Sequence, residues 1–283
     1  MYEISSGLMK VGINPIGAEL EYIKIKDINV LWERSDLWNS QSPILFPIIG
    51  ALREGFYFYQ GQRYEMKVHG FVKDMTFEVA HLDNNKIVLS KKYDDSTLMQ
   101  FPFKFELLIT YRVNNDSLNV EFEIKNLDVK DMSFSIGIHP GFSYKGLQEL
   151  LGDSVKFRMI PNKLNEIIFS PSFVKGKELS KINYNTFDEM SKDLSIKRTI
   201  CLEGLKKFEI YSEKHKLLIN NNMSYMAFWQ KNPEFNPEFI CIEGWEGIPD
   251  MEAISDFDIY KKSGNKIIKE NEKFVTSFEI IYK

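Results

Sequence analysis

Phe105-Glu106-Leu107-Leu108-Ile109-Thr110-Tyr111-Arg112-Val113, followed by Asn114-Asn115-Asp116 and then Ser117-Leu118-Asn119-Val120-Glu121-Phe122-Glu123-Ile124-Lys125, is the stretch that decides the fold class. Phe105, Leu107, Ile109, Tyr111 and Val113 recur every second residue, as do Leu118, Val120, Phe122 and Ile124. A period of two places each set on one face of a strand, and the Asn-Asn-Asp segment supplies turn chemistry between them. The stretch therefore reads as an antiparallel hairpin with one buried face. Further strands are predicted over 18–25, 56–59, 64–67, 75–80, 86–91, 132–139, 206–211, 216–220, 224–230, 238–243 and 273–282. Helical signals are confined to 145–151 and 186–193. The polar region 161–200 is otherwise expected to hold long loops. Many short strands with frequent turn signals and no Pro/Gly/Ser-rich linker predict one all-β domain over 1–283, a large antiparallel β-sandwich.

Composition narrows the function. The chain has 283 residues, with 36 Lys+Arg against 40 Asp+Glu, a net charge of −4. That balance lacks the basic excess by which nonspecific nucleic-acid binders displace counterions, so no nucleic-acid partner is expected. Hydrophobic residues reach 43% and aromatics 14%, enough for a large core rich in rings that pack on pleated faces. Two cysteines, Cys201 and Cys241, are too few for a disulfide framework or a four-Cys zinc site. The stretch from Met1 to Leu20 has no basic segment followed by a long apolar run, and no segment approaches the length of a membrane span. The expected setting is cytoplasmic, without a membrane partner; the sequence does not indicate an oligomeric state.

Four histidines are available. His81 and His215 lie in polar surroundings and read as surface residues. His139 ends Ser133-Phe134-Ser135-Ile136-Gly137-Ile138-His139, where Phe134, Ile136 and Ile138 would enter the core. The opposite face carries Ser133, Ser135 and Gly137, small residues that would leave space above the sheet for a ligand. In Phe239-Ile240-Cys241-Ile242-Glu243-Gly244-Trp245 the Glu243 carboxylate shares a face with Phe239, Cys241 and Trp245. Burying it there is costly and would raise its pKa toward the range of a general base at neutral pH. His69, in Val68-His69-Gly70-Phe71, is a third candidate able to approach a ligand beside a tight backbone. Two histidines and a glutamate could ligate zinc, but no His-x-x-x-His pair is present, so no metal is expected. Phosphate-loop and dinucleotide glycine patterns and a Gly-x-Ser-x-Gly elbow are also missing.

In chain order these segments resemble the aldose 1-epimerase (galactose mutarotase) family, especially its lactose-operon protein X-type bacterial branch. The matching stretches are Pro43 to Gly50, Gly55 to Tyr64, His69-Gly70-Phe71, Gly137-Ile138-His139-Pro140-Gly141-Phe142, and Cys241-Ile242-Glu243-Gly244-Trp245-Glu246-Gly247-Ile248-Pro249-Asp250. The resemblance implies a sandwich that binds a monosaccharide, a hexose, and interconverts its α and β anomers without a cofactor. It implies Glu243 as general base, His139 as general acid, His69 as a sugar contact and Trp229 as a pocket-lining aromatic. Gly244 stands where many relatives have proline, with a looser turn as the expected result. Lys73 replaces a common arginine. Ala51 replaces a basic residue, a contact that Arg53 could take over, and Lys197-Arg198 stand where relatives often present an aspartate. Basic residues in place of an acid would suit an anionic sugar such as a phosphosugar or uronate. The alternative reading is a noncatalytic carbohydrate-binding or sensor protein on the same scaffold.

Overall fold

The computed structural model describes residues 1–161, 163–231 and 238–283. The predicted hairpin forms Phe105–Asn114 and Ser117–Asn126, with Leu107 opposite Ile124 and Val113 opposite Leu118. Every apolar residue of its repeat is buried. This hairpin is the centre of an eight-stranded antiparallel sheet ordered Lys156–Ile160, Lys207–Tyr211, Lys216–Asn221, Lys273–Tyr282, Ser117–Asn126, Phe105–Asn114, Lys86–Lys92 and Glu78–Leu82. A second antiparallel sheet runs Phe173–Leu179, Asn165–Ser170, Thr199–Glu203, Tyr225–Trp229, Phe239–Glu246, Ile136–Ile138 and Ile44–Leu45, with Gly141–Ser143 also paired to the Phe239–Glu246 strand. The expected all-β antiparallel sandwich is what these sheets build. The main core lies between them, where Phe122, Ile124, Phe208 and Ile280 of the first sheet share one apolar cluster with Ile138, Ile200, Phe228, Ile240 and Ile242 of the second.

Alternation along Phe239–Glu246 then determines everything on the far side of the second sheet. Ile240 and Ile242 belong to the main core, so Cys241, Glu243 and Trp245 point away from it. Small apolar clusters cover that outer face, Trp245 with Ile49, Ala227 and Cys201, and Cys241 with Trp32 and Phe239.

Several expectations are corrected. Region 161–200 is not mainly loop: Asn165–Ser170 and Phe173–Leu179 pair as a hairpin at the sheet edge, and Phe187–Lys197 is a helix longer than predicted, capped by the Thr186 side chain. Its strands escaped detection because an edge strand carries charge, here Lys175, Lys177 and Glu178, and because a register shift between Ile168 and Phe169 breaks the period of two. Strands Tyr2–Ser6 and Met9–Ile13 were also not predicted; they open a four-stranded sheet with Leu20–Ile25 and Ile28–Asn29. The expected strand 132–139 is two short strands in different sheets, broken where the Ser135 N–H donates to Pro47 O at 2.7 Å.

Gly244 is not in a turn. It sits within Phe239–Glu246, opposite Met226 on one side and Ile138 on the other. Its Cα faces packed atoms: a Cβ there would lie 2.9 Å from both Asn221 Oδ1 and Phe278 Cδ2. Asn221 cannot yield freely, since its Oδ1 accepts from the Met223 N–H at 3.1 Å and its Nδ2 donates to Tyr225 O at 2.8 Å. Gly244→Ala is therefore an overpacking change, expected to lower stability by about 1–3 kcal/mol. Urea unfolding checks this through a lower midpoint at unchanged slope.

Candidate active site

A cavity of about 410 Å³ opens on the outer face of the second sheet. Glu243 on its strand and His139 just past the end of the neighbouring strand Ile136–Ile138 line it: Ile138 pairs with Gly244, which places the residues flanking that pair side by side. The contact is direct. His139 Nε2 lies 3.1 Å from Glu243 Oε1, with the imidazole side chain 9% exposed and the carboxylate fully buried. The Trp245 indole N–H donates to Glu243 Oε2 at 2.8 Å. Glu243 Oε1 and His139 Nδ1 have no hydrogen-bond partner among the described residues, so both retain polar capacity in a dry setting.

Burial dictates the electrostatics. It pushes the Glu243 carboxyl well above the usual carboxylate range, and the Trp245 N–H offsets part of that rise. Burial, then the neighbouring His69, holds His139 well below the ordinary imidazole value. His69 is drawn down to about 3 by desolvation and then by the Lys73 ammonium. All three groups thus favour their neutral forms.

His69 is held in a left-handed backbone conformation, φ 65°, unusual for a residue with a Cβ. Two bonds to Gly50 hold it there: the His69 N–H donates to Gly50 O at 2.9 Å, and the Gly50 N–H donates to His69 Nδ1 at 3.1 Å. Because Nδ1 accepts, the ring proton is on Nε2, which makes the side chain a donor toward the cavity it lines. Gly50 in turn packs under Pro249, where a Cβ would approach to 2.3 Å. The turn bearing Pro249 is fixed by Asp250, whose carboxylate accepts the Arg53 N–H at 2.9 Å and pairs with buried Lys262 at 3.1 Å.

Trp229 lines the cavity, its ring 5.5 Å from His139 and 5.7 Å from Trp38. Four of the five expected site residues, Glu243, His139, His69 and Trp229, thus meet around one hollow. Arg53 does not line it: its guanidinium lies 4.9 Å over the Phe173 ring. Ala51, Lys73 and Arg198 do line it, whereas Lys197 pairs with Glu166 at 2.7 Å. The space expected above Ser133 and Ser135 is filled, because Asn265 bonds both hydroxyls and Gly247 packs on Ser135. Trp38, Val68 and, at the hairpin tip, Phe169, Pro171 and Ser172 line the cavity without having been singled out. Trp38 alone left a sequence signal, an indole within a polar run after Trp32. Among the described residues no group of three or more His, Cys, Asp or Glu is placed to hold a metal, and no helix is long and apolar enough to cross a membrane.

Known proteins share this architecture. The chain is 27% identical over 271 residues to the plasmid-encoded protein LacX of Lactococcus lactis subsp. lactis, covering 87% of each. It superposes on a galactose mutarotase related enzyme from Lactobacillus acidophilus with a TM-score of 0.90 at 26% identity, over 100% of this chain and 97% of that one. A galactose mutarotase-like protein from Lactobacillus casei gives 0.88 at 25% identity, over the whole of both chains. A galactose 1-epimerase from Lactobacillus acidophilus shares the fold at a TM-score of 0.72 and 13% identity. With the family model described as aldose 1-epimerase matching residues 1–274, the chain belongs to the aldose 1-epimerase family.

Proposed function

We propose that this protein interconverts the α and β anomers of an aldose, with Glu243 as general base and His139 as general acid. The single observation that carries this reading is the 3.1 Å approach of His139 Nε2 to a fully buried Glu243 Oε1 on the wall of the cavity. The two atoms that exchange protons during ring opening, O1 and O5 of the sugar, are bonded to the same carbon. An acid and a base that serve both must therefore be neighbours.

Glu243 takes the proton from the O1 hydroxyl while His139 gives one to O5, the C1–O5 bond breaks, and C1 becomes an aldehyde. Rotation about C1–C2 presents the other carbonyl face. O5 then attacks C1, returning its proton to His139 as Glu243 reprotonates O1. Positioned proton transfer of this kind contributes on the order of 10²–10⁴-fold. His69, as an Nε2–H donor, is assigned to a sugar oxygen, and Trp229 to an apolar face of the ring.

Polarimetry of freshly dissolved α-glucose and α-galactose tests the reading. Acceleration is expected, and Glu243→Gln or His139→Asn is expected to reduce kcat/KM by about 10²-fold or more. Saturable binding without acceleration across a sugar panel would instead identify a carbohydrate sensor.

The pH profile follows from the pair. Its active form holds one proton; burial favours the neutral tautomer, with that proton on Glu243, and the reacting tautomer is the ion pair formed when the proton passes to His139. Below the lowered His139 value both groups are protonated and the base is lost; above the raised Glu243 value both are deprotonated and the acid is lost. The kcat/KM profile is expected to be a broad bell, and a monotonic profile would refute the assignment. Trp245→Phe removes the donor that supports the carboxylate. The expected result is a loss of roughly ten-fold in kcat, from a hydrogen bond to a charged group, and an alkaline limb moved to higher pH.

A further inference from the structure

We propose that the sugar this cavity takes carries an anionic group, a phosphate or a carboxylate, for which Arg198 and Lys73 supply the countercharge. The inference rests on the mutarotase reading of the same site and adds the charge class of its substrate.

The chain is net negative at −4, yet the cavity has the opposite sign: its charged side chains are Lys73 and Arg198 against Glu243 alone. Glu243 is wholly buried against His139 and Trp245, so it does not neutralise the mouth. Among the described ion pairs none includes Lys73 or Arg198; the Lys73 ammonium donates to Val68 O at 3.1 Å and has further protons to give. The open groove beside Trp32 provides the contrast. Asp27, Glu33, Glu149 and Glu238 outnumber its two basic residues, Lys145 and Arg34, and Arg34 is already paired with Glu19 at 2.6 Å and Glu21 at 3.1 Å.

The backbone at Arg198 points the same way. Arg198 ends the Phe187–Lys197 helix at φ 65°, a conformation that glycine or asparagine adopts at far lower cost. The basic side chain that a helix C-terminus favours is already present in Lys197, which bonds Glu166. An arginine held in that conformation, without an ion pair among the described residues and lining the cavity, has no structural need that a smaller residue would not meet better. Lys73 lines the same cavity, near enough to depress both His69 and His139. A charged substituent beside O5 would therefore meet a cation on the acid's side of the ring.

The test compares anomerisation of glucose, galactose, glucose 6-phosphate and glucuronate by exchange NMR, each above its own uncatalysed rate. At least one anionic sugar is expected to exceed both neutral ones in kcat/KM by about ten-fold, the scale of a charge-assisted contact. Its KM should rise with ionic strength. Arg198→Ala and Lys73→Met should each shrink the anionic-to-neutral ratio. A preference between glucose 6-phosphate and glucuronate assigns the group as phosphate or carboxylate. Equal or greater activity on the neutral sugars, with a ratio unmoved by both variants, overturns the inference and leaves the mutarotase reading standing. Saturable binding of an anionic sugar without acceleration upholds the charge class and refutes the catalytic reading; neither binding nor acceleration refutes both.

Discussion

A carboxyl group sealed from solvent is tolerable only where something replaces its lost hydration, and Glu243 has two replacements: the Trp245 indole N–H at 2.8 Å and the His139 imidazole at 3.1 Å. Neither satisfies it completely, since Oε1 is left without a hydrogen bond. That shortfall is what leaves the group prone to protonation. A fully satisfied buried carboxylate would hold its charge and have little tendency to take a proton, whereas this one gains by accepting one. The rest of the molecule can be understood as the framework that keeps this pair dry, close and incompletely satisfied.

The framework uses strand alternation. Ile240 and Ile242 hold Phe239–Glu246 against the main core, and the same pleat turns Glu243 and Trp245 outward. Gly244, between them, lets the strand press against Asn221 and Phe278 where no side chain would fit. His69 is fixed by a different route. The Asp250–Lys262 pair anchors the turn carrying Pro249, Pro249 rests on Gly50, and Gly50 sets both the backbone and the ring of His69. The Glu243–His139 pair thus depends on sheet packing, while the His69 imidazole depends on a buried ion pair outside the sheets.

Legibility in the sequence followed the same physics. The hairpin Phe105–Asn114/Ser117–Asn126 could be read because one face is wholly apolar and the other wet, which is the condition for a clean period of two. Glu243 stood out because a carboxylate in an apolar row is an anomaly whatever the fold. The edge hairpin Asn165–Leu179 was hidden by its charges and its register shift. Ser133 and Ser135 misled, because small residues at a strand surface mark either an opening or a close approach, and only the position of Asn265 and Gly247 decides which. Arg53 misled similarly: its backbone N–H joins the site's scaffold at Asp250, but its side chain turns onto Phe173. Neither outcome is encoded in local pattern, since each depends on partners remote in the chain.

Phe169, Pro171 and Ser172 at the hairpin tip border the cavity from the margin of the sheet, whereas Glu243 stands on an interior strand and His139 directly follows another. Marginal strands have one neighbour, so their length and tip can change without disturbing the pairing of the interior. Rim and floor are thereby mechanically uncoupled: a lineage could exchange the rim while the Glu243–His139 pair beneath it stays where it is.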